Sequence, residues 1–144
     1  MTSTTNDQPE YLSSATLMVL GTSLRPHEVS ALLRMRASEA WARGEPKLIR
    51  GKGMGDTFHD WGGWKKTLPP AQRARSLPQQ LRYWARSLTD KAGALSQLAA
   101  LGYRCELNCF VGTSSTATLV LPPDLQRTIG DLGLTLSLNV FASP

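Results

Sequence analysis

His59 and Asp60 stand side by side, and a His-Asp pair can polarise a nucleophile or begin a metal site. A catalytic metal needs at least three protein ligands, and the only other histidine, His27, lies at an expected helix start. No serine or cysteine elbow accompanies the pair. Gly51-Lys52-Gly53-Met54-Gly55-Asp56 has the composition of a phosphate-binding loop. It fails the Walker pattern, because Gly44 is seven positions before Gly51 and Gly53 stands where Ser or Thr would meet magnesium. It reads as a flexible loop. Cys105 and Cys109 are the only cysteines, four apart on an expected strand, Arg104 to Val111. That spacing sets them roughly 13 Å apart along the strand, beyond the about 7 Å that a disulfide spans. They read as buried core thiols. No catalytic residue, cofactor or metal ligand follows from these motifs, and the chain is expected not to be an enzyme.

Binding chemistry is better represented. Trp61 and Trp64, with Lys65 and Lys66 beside them, combine aromatic faces with cationic charge. Such groups anchor protein interfaces and also stack on single-stranded nucleic acid. Three residues separate the two tryptophans, so an ideal strand would put them on opposite faces, one in the core and one outside. The net charge of +5 is concentrated here: Arg36 to Arg75 holds nine Lys or Arg against four acids. This asymmetry suits an acidic partner surface or nucleic acid. The expected partner-binding residues are Trp61, Trp64, Lys65, Lys66, Arg73 and Arg75. Arg75, Arg82 and Arg86 could form a further basic face, although such faces are commonly just solvated.

The elements that must position these groups follow from periodicity. Ala15 to Thr22 reads as a central strand, apolar from Leu17 to Leu20, and no apolar run in the chain is longer, far short of a membrane span. Pro26 opens a helix through Val29, Leu32 and Leu33 to about Met35. Ala37 to Arg75 is irregular, with one short strand expected near Trp61 to Leu68. Ser76 and Gln79 form a capping box for a long helix with an apolar stripe, breaking near Asp90 and closed by Gly102. Arg104 to Val111 alternates as a strand, Thr118 to Leu121 is a short apolar piece counted as an optional strand, and Pro122-Pro123-Asp124 open a helix stopped by Gly133. The last strand alternates from Leu134 to Val140. The order implies an α+β fold, a mainly antiparallel sheet with helices on one face, ferredoxin-like with two βαβ halves. Residues 1–12 read as a disordered tail, without the features of a signal peptide, and 13–144 as one domain. A cytoplasmic protein with no membrane contact is expected.

Val19-Leu20-Gly21, the helix through Val29, Leu32 and Leu33, Trp41-Ala42-Arg43-Gly44-Glu45, Trp64, and Leu98-Ala99-Ala100-Leu101-Gly102-Tyr103 together carry a resemblance. With the closing segment Leu121 to Phe141, they resemble the bacterial domain-of-unknown-function family numbered 4279, from about Ala15 onward. Members often carry Leu-Gly-x-x-Pro after the first helix, where this chain has Leu33-Arg34-Met35-Arg36-Ala37. The resemblance implies small stand-alone proteins with no assigned activity and brings no catalytic residues. Some related small domains are immunity proteins beside secreted toxins. The expected function is therefore a protein-binding module, an immunity or antitoxin-like protein that neutralises a toxin domain. The positive charge suits an acidic one. The alternative is an RNA or single-stranded nucleic-acid-binding domain.

Overall fold

Alternating apolar residues in two ten-residue strands build the centre of the molecule. In β1 (Leu12–Gly21), Ala15, Leu17 and Val19 are fully buried. In β6 (Arg104–Thr113), Cys105, Leu107, Cys109 and Val111 point the same way. The two pair antiparallel with Ala15 opposite Cys109, Leu17 opposite Leu107 and Val19 opposite Cys105, which merges their apolar sets into one face. The computed structural model describes residues 11–49 and 52–142.

The other elements are α1 (Pro26–Leu33), β2 (Glu39–Trp41), β3 (Pro46–Ile49), β4 (Lys52–Phe58), β5 (Gly62–Lys66), α2 (Leu77–Ser87), α3 (Ala92–Ala100), α4 (Pro123–Asp131) and β7 (Thr135–Ala142). The main sheet has five strands in the order β2-β5-β1-β6-β7, and β3 pairs β4 in a separate two-stranded ribbon. All pairings are antiparallel except β6 with β7. The four helices supply Val29, Leu33, Leu81, Trp84, Leu95, Leu98, Leu125 and Ile129 to a single core against the buried sheet face. The α+β arrangement of a mixed sheet and helices agrees with the sequence pattern.

The capping box at α2 is present: Gln79 N–H donates to Ser76 Oγ, and Ser76 N–H donates to Gln79 Oε1. The break near Asp90 is a 3-10 turn, Thr89–Lys91. Gly102 and Gly133 close α3 and α4 at φ of 88° and 75°, a backbone region open to glycine without steric cost.

Three expectations need correction. The stretch from Ala37 to Arg75 holds four strands, β2 to β5, instead of one. Thr118 to Leu121 forms no strand. Leu119 and Leu121 are half-buried while Thr118 and Val120 are exposed, so its alternation reflects a chain lying along the core rim without a ladder partner. The expected tail ends earlier than residue 12: Tyr11 is buried, its hydroxyl accepts from Leu77 N–H at 3.3 Å, and Leu12 begins β1. Residues 1–10 of that expected tail lie outside the described residues, as does Gly51 of the glycine-rich segment, whose continuation from Lys52 is β4.

Candidate binding interface

Trp64 and Trp61 separate as the strand period requires. Trp64 lies opposite Val19, on the buried face, with no exposed surface. Its indole N–H donates to Ser30 Oγ of α1 at 2.9 Å, which satisfies the one polar atom the ring carries inward. Trp64 is thus a core residue and offers nothing to a partner. Trp61, just before β5, is 54% exposed.

Trp61 is joined through its backbone to a group of side chains organised by Trp41 of β2. The Trp41 indole N–H donates to the Trp61 carbonyl at 3.0 Å. His59 stacks on Trp41 with ring centroids 4.6 Å apart and planes 19° from parallel. Lys65 Nζ sits 5.4 Å from the Trp41 ring centre and 3.6 Å from Glu39 Oε1. The cation is therefore shared between a π face and a carboxylate, both at the sheet edge. Trp41 lies flat on Gly63, opposite it in the ladder, where a Cβ would come within 2.2 Å of the ring. Gly63 is what permits this approach. Backbone bonds from Gly44 N–H to His59 O (2.9 Å) and from His59 N–H to Glu45 O (3.0 Å) tie down the segment carrying His59. Phe58 adds an exposed ring beside it in sequence, 49% exposed.

His59 is a stacking partner, and Asp60 is exposed. Among the described residues no group of three or more His, Cys, Asp or Glu is placed to hold a metal. Cys105 and Cys109 are free and buried, as their spacing requires. Burial pushes the Cys105 thiol up to about 11. Burial, with the Glu106 charge adding to it, pushes Cys109 up to about 12.

Of the remaining expected contact residues, Lys65 joins the Trp41 group, on the sheet face opposite the helices, and Lys66, Arg73 and Arg75 do not. Lys66 lies opposite Leu17 and so leans to the helix side. The Arg73 side chain is used locally, its Nε donating to Leu68 O at 3.0 Å. Arg75 lines a groove on α2 with Arg82 and Arg86. The six residues are spread over the core and both sides of the sheet.

Sequence reasoning gave Trp41 no binding role, because a three-residue strand has no periodicity to show which way a ring points. The signal available was composition: Trp41 and Gly63 are the pair that allows an indole to lie on backbone.

The open sheet face holds a second aromatic pair. Phe110 and Phe141 are 5.2 Å apart between ring centres and 41% and 57% exposed. Asn139 Nδ2 donates to Asn108 Oδ1 at 3.3 Å on the same face. Glu106, in the same row, is only 2% exposed; Arg104 Nη2 approaches its Oε1 at 2.9 Å, and Asn108 Nδ2 donates to Oε2 at 3.0 Å.

Fold and site together define a small α+β domain whose helices cover one sheet face and whose aromatic groups lie at the edge and on the other face. The chain belongs to the family described as Domain of unknown function (DUF4279), whose model matches residues 10–142. No curated protein and no solved structure matches it. No helix among the described residues is long and apolar enough to cross a membrane.

Proposed function

We propose that the chain is a non-enzymatic protein-binding module of the immunity or antitoxin type, which neutralises a toxin domain in the bacterial cytoplasm by covering it. The observation that carries this reading is the cluster at the sheet edge: Trp41 stacked with His59 under Lys65, its indole N–H on the backbone carbonyl of Trp61, whose own ring is exposed. Large aromatic anchors held by a second layer of side chains concentrate binding energy at protein interfaces. The net charge of +5 favours an acidic partner face. Co-expression with the product of the adjacent gene, chosen if it encodes a toxin-like domain, tests it. Growth should be rescued by the native chain and not by Trp61→Ala. Equal rescue by both, or none by either, would sink the proposal.

A second reading, RNA or single-stranded nucleic-acid binding, draws support from the Phe110 and Phe141 pair on the open sheet face, where bases could stack. It forecasts retention on single-stranded RNA that weakens steeply with salt and is lost in Phe110→Ala. The ferredoxin-like kinship belongs to the same proposal. Its support is that β1, α1 and β2 form one βαβ half split by β5, while β6, α4 and β7 form another with adjacent parallel strands.

A further inference from the structure

Arginine, and no other charged residue, lines an open recess on the helical side. Gln79, Arg82, Tyr83 and Arg86 share one side of α2 at spacings of three and four. With Gln72 and Arg75 from the preceding segment they line an open groove of about 640 Å³. A smaller recess of about 220 Å³, also bordered by Arg82 and Arg86, continues it toward α4.

The three guanidinium groups are not equivalent. Arg82 is held by Asp124 of α4, with Nη1 and Nη2 donating to the two carboxylate oxygens at 3.0 and 3.5 Å. That pairing fixes its plane and offsets its charge. Arg75 and Arg86 are exposed, and no carboxylate among the described residues pairs with either. Holding like charges around one recess is unfavourable without a counter-charge, and an anion supplies one. Arg75 is also positioned from within: its carbonyl accepts from the buried Gln80 amide at 2.9 Å.

We propose that this groove is a binding site for a small phosphorylated ligand. Arg75 and Arg86 take the phosphate oxygens, and Arg82, set by Asp124, orients them. Three features select this chemistry. The planar fork of arginine matches phosphate oxygens in pairs, which a lysine ammonium does not. The volume falls in the range of small-molecule sites and would hold a ligand of nucleotide size. Tyr83, Gln72 and Gln79 add neutral donors and acceptors and an aromatic edge for the rest of such a ligand. The cations gather in one recess instead of following a track, which favours a compact anion over a polynucleotide strand. The site lies on the opposite side of the sheet from Trp41 and Lys65, and it stands whether or not the Trp61 group binds a toxin.

Calorimetric titration of the full chain with inorganic pyrophosphate at low salt tests the proposal. Saturable binding is expected, weakened about tenfold or more by Arg75→Gln and by Arg86→Gln, each removing one charged donor. Thermal unfolding of these exposed-site variants should be unchanged, and Trp61→Ala should bind pyrophosphate as the native chain does. The proposal is overturned if pyrophosphate gives no saturable binding, or if its binding is indifferent to Arg75 and Arg86. It is equally overturned if a hexaglutamate peptide or a single-stranded RNA oligomer occupies the groove more tightly than pyrophosphate.

Discussion

The Gln80 side chain stands in for a strand: its Oε1 accepts from Ala15 N–H at 2.8 Å, sixty-five residues away and fully buried. β5 pairs with β1 only from Leu17 to Gly21, so the Ser13 to Ala15 backbone on that side has no ladder partner. Gln80 Nε2 donates to Ser13 O at 3.1 Å, and the Trp84 indole N–H donates to Ala15 O at 2.9 Å. Two side chains of α2 thus satisfy the buried backbone groups that a longer β5 would have paired.

Gln80→Leu keeps the volume and removes these bonds. It leaves Ala15 N–H and three backbone carbonyls, Ser13, Arg73 and Arg75, without this partner. The expected loss is about 3 kcal/mol, since each unsatisfied buried group costs roughly 1–3 kcal/mol and relaxation recovers part. Urea unfolding followed by tryptophan fluorescence measures it. A loss below about 0.5 kcal/mol, the size of an ordinary surface change, would show that water reaches this part of β1.

Arg34 ends α1 in the left-handed region, φ 54° and ψ 44°, with its own N–H on Ser30 O. It is the single non-glycine residue with positive φ among the described residues. A left-handed residue that ends a helix is the position that glycine suits best. Arg34→Gly is expected to stabilise the chain by about 1 kcal/mol through relief of the Cβ clash. A shift of the thermal midpoint upward is the readout, and an unchanged or lower midpoint contradicts the assignment.

Much of the helical half is legible because burial there leaves a period. The stripe of α2, its capping box and the alternation of β6 each encode one buried face. The middle of the chain is not legible for a physical reason. β5 buries Gly62 and Gly63, which have no side chain to show a pattern, and β2 is three residues long. The β3 and β4 ribbon pairs only with itself, so the main core imposes no alternation on it. Site prediction suffered accordingly. Trp61 and Trp64 were resolvable into opposite faces by period, but which one faces out depends on the pairing of Trp64 with Val19, a long-range contact that spacing does not reveal.

The two cysteines set an alkaline limit. Burial raises Cys105 from 9.0 to about 11 and, with Glu106 adding to it, Cys109 from 9.0 to about 12. A group with a raised folded value binds its proton more tightly in the fold. Its contribution is full below the unfolded value near 9.0 and is lost as pH rises through the folded values of about 11 and 12. Stability should therefore fall from about pH 9 upward, and more steeply than in Cys105→Ala/Cys109→Ala. Both thiols should resist a disulfide reagent in mildly alkaline buffer until the chain is denatured. Rapid native labelling of either would contradict their burial.

Gly63→Ala probes the platform under Trp41. A methyl at 63 would collide with the indole at 2.2 Å, and strand backbone cannot move aside as a flexible side chain would. Trp41 must lift, which breaks its bond to Trp61 O and its stack with His59. The expected cost is about 2 kcal/mol, in the range for overpacking, with a red shift of the Trp41 emission. Unaltered emission in a folded protein would mean that the ring does not rest on Gly63.

Trp61 and Trp64 provide the sharpest contrast, since one residue type, three positions apart, should give opposite phenotypes. Trp64→Ala removes a fully buried ring and its bond to Ser30, and should destabilise by about 4 kcal/mol. Trp61→Ala removes an exposed ring whose backbone carbonyl, not its side chain, holds Trp41. Its stability should change by less than about 0.5 kcal/mol, while partner binding weakens by about 2 kcal/mol, mostly through faster dissociation. Lys65→Glu places two acids, Glu39 and the new one, side by side and removes the cation over Trp41. With an acidic partner it should slow association and flatten the salt dependence of the on-rate. Surface plasmon resonance against a toxin domain that the chain neutralises in the growth assay separates the two effects. Association and dissociation rates untouched by either Trp61→Ala or Lys65→Glu would remove the sheet edge from the interface and direct attention to the open face around Phe110 and Phe141.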